Sequence, residues 1–169
     1  MECLGFNNLE SLILDYELDD RDLLKIMLSL SKQVKELNDC GIVHADLKPD
    51  NVMMTYADGE PQAHLIDFGC STKIGRRSHF GQCPQRWQVE VFRRPWYAAE
   101  IFQGRTLDHK ADVVGLAFSL LFVMGEMRSK RTELAELVEL GMNYNRRIRP
   151  SYDQFINYLE GELALLETV

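Results

Sequence analysis

The sequence predicts an α+β fold that is mainly helical and carries a small sheet. Three observations predict this class. Apolar residues recur at three- and four-residue steps through residues 23–37, two short apolar runs enclose a turn at residues 57–61, and residues 113–124 are almost entirely apolar. A chain of 169 residues fits one domain, or one large lobe of a larger domain.

The first elements follow from local pattern. Residues 9–17 (LESLILDYE) predict a short buried strand that leaves into an acidic turn. The aspartates at residues 19–20 can cap the next helix, whose apolar stripe runs through residues 23–37. An Asn-Asp-Cys-Gly sequence at residues 38–41 supplies residue types that end a helix.

A hairpin and a long loop come next. Residues 52–55 and 63–66 predict two short strands around the turn at residues 57–61. Residues 72–94 are polar and basic without a clear period, and we interpret them as a loop. A loop of about 20 residues is longer than most connections, which indicates a function.

The rest of the chain predicts helices. Residues 112–124 should form a buried helix because they are apolar on nearly every side. This run is shorter than the ~20 residues that a membrane span needs. Residues 133–140 predict an amphipathic helix, and Pro150-Ser151 opens a last helix that continues to residue 166.

Composition excludes several classes of function. A net charge of −7 argues against a nucleic-acid partner, and the N-terminal residues lack the pattern of a secretory signal. The cysteines lack the paired spacing of a disulfide framework or a zinc site; they are Cys3, Cys40, Cys70 and Cys83. We therefore expect free thiols and an intracellular protein, cytoplasmic or nuclear, without a membrane partner.

Three polar sites interrupt the apolar pattern: residues 44–51 (HADLKPDN), residues 67–69 (DFG) and Asp112. We call residues 44–51 the HADLKPDN loop. These residue types suit phosphoryl transfer, in which catalysis is mostly positioning and charge stabilisation. Magnesium prefers oxygen ligands, which a carboxylate such as Asp67 and a carboxamide such as Asn51 provide.

The loop also holds two groups that can act on a reacting hydroxyl. Asp46 can orient the hydroxyl and accept its proton, and Lys48 can neutralise charge on the moving phosphoryl group. H-A-D-L-K-P-D-N resembles the protein-kinase catalytic loop H-R-D-L-K-P-x-N, and D-F-G follows at the family's spacing. W-Y-A-A-E at residues 96–100 resembles the A-P-E end of the activation segment, and R-P-S at residues 149–151 resembles its late R-P-T element.

The resemblance covers residues 9 to about 159, and residues 12–17 resemble the last strand of the N-terminal lobe and the hinge. It implies the C-terminal lobe of a eukaryotic-type protein kinase of the Ser/Thr class, with ATP and Mg²⁺ as cofactors and a protein as substrate. The implied catalytic residues are Asp46 and Lys48. The implied cofactor contacts are the backbone of Asp15, Tyr16 and Glu17 at the adenine, Lys48 at the γ-phosphate, and Asn51 and Asp67 as magnesium ligands.

Four further residues have structural roles on this interpretation. Glu100 and Arg149 should form a partly buried pair. Asp112 should cap the backbone of the HADLKPDN loop. His44 should organise that loop by hydrogen bonding rather than act as an acid or base.

The sequence departs from the family at its start. It contains no G-x-G-x-x-G motif and no V-A-I-K-like strand. We therefore predict a residual N-lobe strand and hinge in residues 1–18 and a C-terminal lobe in residues 19–169. Ala99 replaces the proline of A-P-E, and Ala45 stands where many kinases carry an arginine that binds an activation-loop phosphate. Phosphorylation of that loop should therefore not be the main switch.

Several interpretations stay open at this point. The chain could be a partial Ser/Thr kinase domain, or a catalytically weak or inactive module (a pseudokinase or decoy) that binds another kinase or its substrate. A partner could instead supply a complementing N-terminal lobe. Cys70 could be a small packing residue or a reactive thiol. The basic loop could be solvated surface or a docking site for acidic substrates; its arginines are Arg76, Arg77, Arg86, Arg93 and Arg94.

Overall fold

A computed structural model describes residues 7–78 and 94–167. Its helices are α1 Leu9–Asp15, α2 Asp20–Asp39, α3 Ala99–Phe102, α4 Ala111–Met124, α5 Thr132–Gly141 and α6 Tyr152–Glu167. Its strands are β1 Asn7–Asn8, β2 Ile42–Val43, β3 Val52–Ala57, β4 Glu60–Leu65 and β5 Thr72–Lys73. Pro49–Asn51 and Phe68–Cys70 form short 3₁₀ turns. The mainly helical α+β class is confirmed.

Helix α2 begins and ends where the sequence predicts. The carboxylate of Asp19 accepts a hydrogen bond of 2.8 Å from the backbone N–H of Asp22, which satisfies a free donor of the first turn. Gly41 adopts a φ of 78° directly after the helix, a conformation that costs glycine little. The apolar face of α2 is fully buried against the hairpin, α4 and α6.

The hairpin is longer than predicted. β3 and β4 pair antiparallel from Val52↔Leu65 to Ala57↔Glu60, and β1 extends the sheet on the other side of β3. Asp58 and Gly59 both have positive φ, so two residues complete the turn and the strands continue to its edge. Pro61 is tolerated in β4 because this strand lies at the edge of the sheet.

The strand predicted over residues 9–17 is wrong, because residues Leu9–Asp15 form helix α1. Asn8 caps the helix by accepting a 2.8 Å hydrogen bond from the N–H of Ser11. Leu9, Leu12 and Ile13 lie at helical spacing and are buried together. The strand that remains before them is β1, and residues 1–6 of the predicted N-lobe segment lie outside the described residues.

The predicted C-terminal helices are confirmed, and α4 is buried along most of its length. Gly115 brings α4 against the HADLKPDN loop: a Cβ atom there would lie 2.7 Å from the Cβ atom of Leu47 and closer still to its carbonyl oxygen. Ser151 caps α6 as predicted, and its N–H donates in return to Gln154 at 2.9 Å. Among the described residues, every helix is too short or too polar to span a bilayer.

The predicted loop at residues 72–94 is described in part. It opens with β5, which pairs antiparallel with β2 through Ile42↔Lys73 and Val43↔Thr72, so its first two residues are strand. Arg77 then forms an isolated bridge with Thr106. Four of the cysteines and arginines named above lie outside the described residues: Cys3, Cys83, Arg86 and Arg93.

Candidate active site

The HADLKPDN loop is fastened to the core by Asp112. The carboxylate of Asp112 accepts hydrogen bonds from the N–H of His44 (2.7 Å), the N–H of Ala45 (2.9 Å) and the carboxamide of Asn38 (3.1 Å). Asp112 is buried at the start of α4, and burial raises its pKa while these donors oppose the rise. The predicted role of Asp112 as a cap on the loop backbone is confirmed.

His44 joins the loop to the segment that precedes Asp67. Its Nδ1 accepts from the N–H of Asp46 at 3.3 Å, so its Nε2 carries the proton and donates to the carbonyl of Ile66 at 2.9 Å. The ring also packs 5.0 Å from that of Phe68. The predicted organising role of His44 is confirmed, because both ring nitrogens are used to hold backbone.

Asp46 and Asn51 share hydrogen bonds inside the loop. The Nδ2 group of Asn51 donates to the backbone oxygen of Asp46 at 2.9 Å and to its Oδ2 at 3.1 Å. Both side chains are more than nine-tenths buried. Because the amide nitrogen of Asn51 is occupied by Asp46, its Oδ1 oxygen is the atom that suits a cation.

Asp67 approaches the same loop from β4. The backbone carbonyl of Asn51 accepts from the N–H of Ile66 at 3.0 Å, one residue before Asp67. Asp67 itself has a left-handed conformation (φ 61°), and its Oδ1 accepts from the N–H of Gly69 at 3.3 Å. Its side chain is exposed. A strand thus delivers an accessible carboxylate beside the residue that ends the HADLKPDN loop.

The thiol pKa of Cys70 indicates that the charged side chains of Asp46, Asp67 and Lys48 lie in one region. The pKa of its thiol is raised to about 11, first by burial and then by the negative charges of Asp46 and Asp67, while the charge of Lys48 opposes the rise. All three side chains therefore lie within electrostatic range of one sulfur atom. The interpretation of Cys70 as a reactive thiol is disfavoured, since reactivity needs a lowered pKa.

Trp96 covers Asp46 and Lys48, and sequence reasoning did not identify it as a site residue. Its indole N–H donates to Oδ1 of Asp46 at 3.2 Å, and the ammonium of Lys48 lies 5.5 Å from the ring centroid. Lys48 also lies 3.5 Å from Asp50.

Tyr97, the next residue, also contacts Asp46. Burial, followed by a hydrogen bond with Asp46, raises the pKa of Tyr97 well above its usual range. The only signal for these two aromatic residues was their position before A-A-E.

The adenine candidates occupy a different cavity. Asp15 ends α1 and Tyr16 and Glu17 follow it. All three line a space of about 330 Å³ with Glu126 and Arg128. None of the candidates for the catalytic loop and the metal lines that space. The structure therefore brings together the candidates for the loop and for the metal, while the adenine candidates face another cavity.

Helix α1 contributes one further charged group. Glu10 lies on the first turn of α1, which packs against the Pro49–Asn51 turn. A hydrogen bond with Asp50 raises the pKa of Glu10, followed by burial and the negative charge of Asp50. Sequence reasoning missed this carboxyl pair because residues 9–17 were interpreted as a strand.

The predicted pair of Glu100 and Arg149 is confirmed. Both side chains are buried, and the guanidinium binds the carboxylate through two nitrogens, Nη1 to Oε1 and Nη2 to Oε2 at 3.0 Å. The same guanidinium donates to the backbone oxygens of Asn143 and Lys110, each at 2.8 Å. This pair fixes α3, and with it the W-Y-A-A-E segment, to the helical core.

The donor set fits magnesium. One carboxylate (Asp67) and one carboxamide oxygen (Asn51) match the few protein ligands that Mg²⁺ takes where phosphate oxygens and water complete its octahedron. Among residues 7–78 and 94–167, no cluster of three or more His, Cys, Asp or Glu side chains could hold a metal ion alone. In the same segments Cys40 and Cys70 are free thiols.

The known proteins that this chain resembles are protein kinases. The protein kinase domain family matches residues 1–157. A probable serine/threonine-protein kinase of Dictyostelium discoideum is 28% identical over 72% of this chain and 9% of its own length. The mitosis inhibitor protein kinase SWE1 of Saccharomyces cerevisiae is 35% identical over 62% of the chain and 12% of its own length. Smooth-muscle myosin light chain kinase of Gallus gallus is 40% identical over 36% and 3%. The match thus spans a small part of each relative.

Proposed function

This chain belongs to the protein kinase domain family, in its Ser/Thr class, and from that premise we propose that it carries the catalytic loop and metal ligands for transfer of the ATP γ-phosphoryl group to a protein hydroxyl. The observation that carries the proposal is the shared hydrogen bonding of Asp46 and Asn51, in a loop that His44 ties to the residue before Asp67. Base and metal candidates are thereby held in one polar region.

Each side chain has a defined task on this proposal. Asp46 accepts the proton of the substrate hydroxyl through a carboxylate whose position Asn51 fixes. Lys48 meets the γ-phosphate, since its ammonium lies in the same region as both carboxylates. Asn51 and Asp67 would hold magnesium, which when bound neutralises phosphate charge. Catalysis then rests on positions that exist before substrate arrives.

The remaining proposals concern nucleotide, location and partners. We propose that the backbone of Asp15, Tyr16 and Glu17 receives the adenine; the extended conformation of Tyr16 (φ −128°, ψ 136°) supports this, because extended backbone presents its N–H and C=O groups sideways. We also propose an intracellular location, which the need for ATP and the free thiols of the described cysteines Cys40 and Cys70 support. The partner is a protein substrate.

The test replaces Asp67 by Asn in the full chain. We expect phosphate transfer from radiolabelled ATP to a generic protein substrate to fall by at least about a hundredfold, because the metal loses its carboxylate ligand. Asp58→Asn is the matched control, since Asp58 is also an exposed aspartate with positive φ but lies in the hairpin turn. Equal activity of the two variants and the unmodified protein would contradict the proposal.

The interaction module remains a second candidate because large apolar side chains are exposed near the proposed nucleotide elements. Leu14 and Tyr16 are 66% and 41% exposed, and Phe68 is 48% exposed. Such side chains are suited to contact another protein. This candidate predicts no loss of function in Asp67→Asn and weaker capture of a defined partner, another kinase or its substrate, in Leu14→Ser.

A further inference from the structure

Trp96 contacts both groups to which the proposed function assigns chemistry. Its indole N–H donates to Oδ1 of Asp46 at 3.2 Å, and its ring faces the Lys48 ammonium at 5.5 Å. Oδ2 of Asp46 is held by Asn51. Both oxygens of the carboxylate are therefore engaged, which fixes the plane of the group.

The indole is itself held from several sides. Phe118 of α4 lies 5.6 Å from the Trp96 ring, and the ring of Tyr97 lies at 5.7 Å. The guanidinium of Arg94 lies 5.5 Å from the indole centroid. Because α4 also carries Asp112, one helix fixes both the HADLKPDN loop and the ring that covers it.

We propose that Trp96 is a positioning residue that orients the Asp46 carboxylate and the Lys48 ammonium for phosphoryl transfer. The proposal rests on the proposed function. A carboxylate oxygen has two acceptor sites, so Oδ1 can receive the indole N–H and still accept the proton of a substrate hydroxyl. The indole N–H, beside the Tyr97 hydroxyl that also bonds Asp46, sets the direction of the remaining site, and the ring holds Lys48 by a cation–π contact.

Kinetics of Trp96→Phe test the positioning role, because phenylalanine keeps a ring near Lys48 and removes the N–H donor. We expect kcat to fall roughly tenfold while the KM for ATP changes little, since the lost hydrogen bond orients the reacting carboxylate. Trp96→His restores a ring N–H and should recover part of kcat. A kcat of Trp96→Phe equal to that of the unmodified protein would overturn the proposal.

A second measurement reads the contact without relying on activity. The chain has two tryptophans, so its ¹H–¹⁵N spectrum contains two indole N–H signals, and Trp96→Phe identifies one of them. Asp46→Asn should shift the Trp96 signal, because it replaces the charged acceptor, while Asp58→Asn should leave it in place. An unchanged chemical shift of the Trp96 indole signal in Asp46→Asn would overturn the proposal. An inactive unmodified protein in which Asp46→Asn still shifts the signal would overturn the proposed function and support the positioning contact.

Discussion

Cys70 is the residue whose chemistry depends on the charges of the candidate site. Its thiol pKa is raised to about 11, first by burial and then by Asp46 and Asp67. The neutral thiol is thus favoured in the folded state. Its contribution to stability is present below the ordinary thiol pKa of about 8.5 and is lost as the pH rises through about 11.

We predict that Asp46→Asn makes Cys70 react faster with iodoacetamide at pH 9. Removing a negative charge near the sulfur lowers the pKa of the thiol and increases the thiolate fraction. Peptide mass spectrometry follows Cys70 separately from Cys40, which is exposed and serves as the internal reference. Asp58→Asn should leave the rate at Cys70 unchanged. If Asp46→Asn did the same, Asp46 would not lie near this thiol.

At the scale of elements, the contact between α4 and the HADLKPDN loop depends on one glycine. A Cβ atom at Gly115 would lie 2.7 Å from the Cβ atom of Leu47 and 3.1 Å from its carbonyl carbon. The backbone of a buried loop cannot move away from such a contact without a loss of packing. We predict that Gly115→Ala lowers the free energy of unfolding by about 1–3 kcal/mol, measured by urea denaturation.

Gly161→Ala is the matched control for that prediction. Gly161 also lies inside a helix, but a Cβ atom there would meet nothing within 4 Å. Alanine should therefore raise the free energy of unfolding, by up to about 1 kcal/mol, because it has the higher helix propensity. Similar effects of the two substitutions would show that the approach of α4 to Leu47 is not tight.

The helices and strands were predictable where the apolar residues recur periodically. They were missed where contacts outside the local sequence determine the structure. The stripe of α2 and the apolar run of α4 identified those helices directly. Residues 9–15 carry apolar positions that suit a strand as well as a helix. The N-cap hydrogen bond that Asn8 accepts from Ser11 favours the helix α1. The contact of Trp96 with Asp46 joins residues 50 positions apart across a loop, so no local signal could reveal it.

At the scale of the whole molecule, the Glu100–Arg149 pair joins the segment after the long loop to the C-terminal helices. We predict that Arg149→Met lowers the free energy of unfolding by about 3–5 kcal/mol, because it leaves a buried carboxylate without its cation. Urea denaturation at pH 7 measures the change. The double variant Arg149→Met, Glu100→Gln should recover part of the loss.

Arg21→Met is the control for that change. Arg21 pairs with Glu167 between helices α2 and α6, but both side chains are about half exposed. Exposed pairs contribute about 0–1 kcal/mol, so this variant should unfold almost as the unmodified protein does. A loss as large as that of Arg149→Met would show that burial is not what makes the Glu100 pair matter.

The polar chain through the core has a consequence for ligand binding. The Tyr152 hydroxyl donates to Asn38 at 3.3 Å, Asn38 donates to Asp112, and Asp112 receives the backbone of His44 and Ala45. These buried side chains thus hold the backbone that presents the candidate base from the side of the helical core. A nucleotide that binds at this loop would restrict the protein backbone little further. Little of its binding free energy would therefore be lost to ordering the protein.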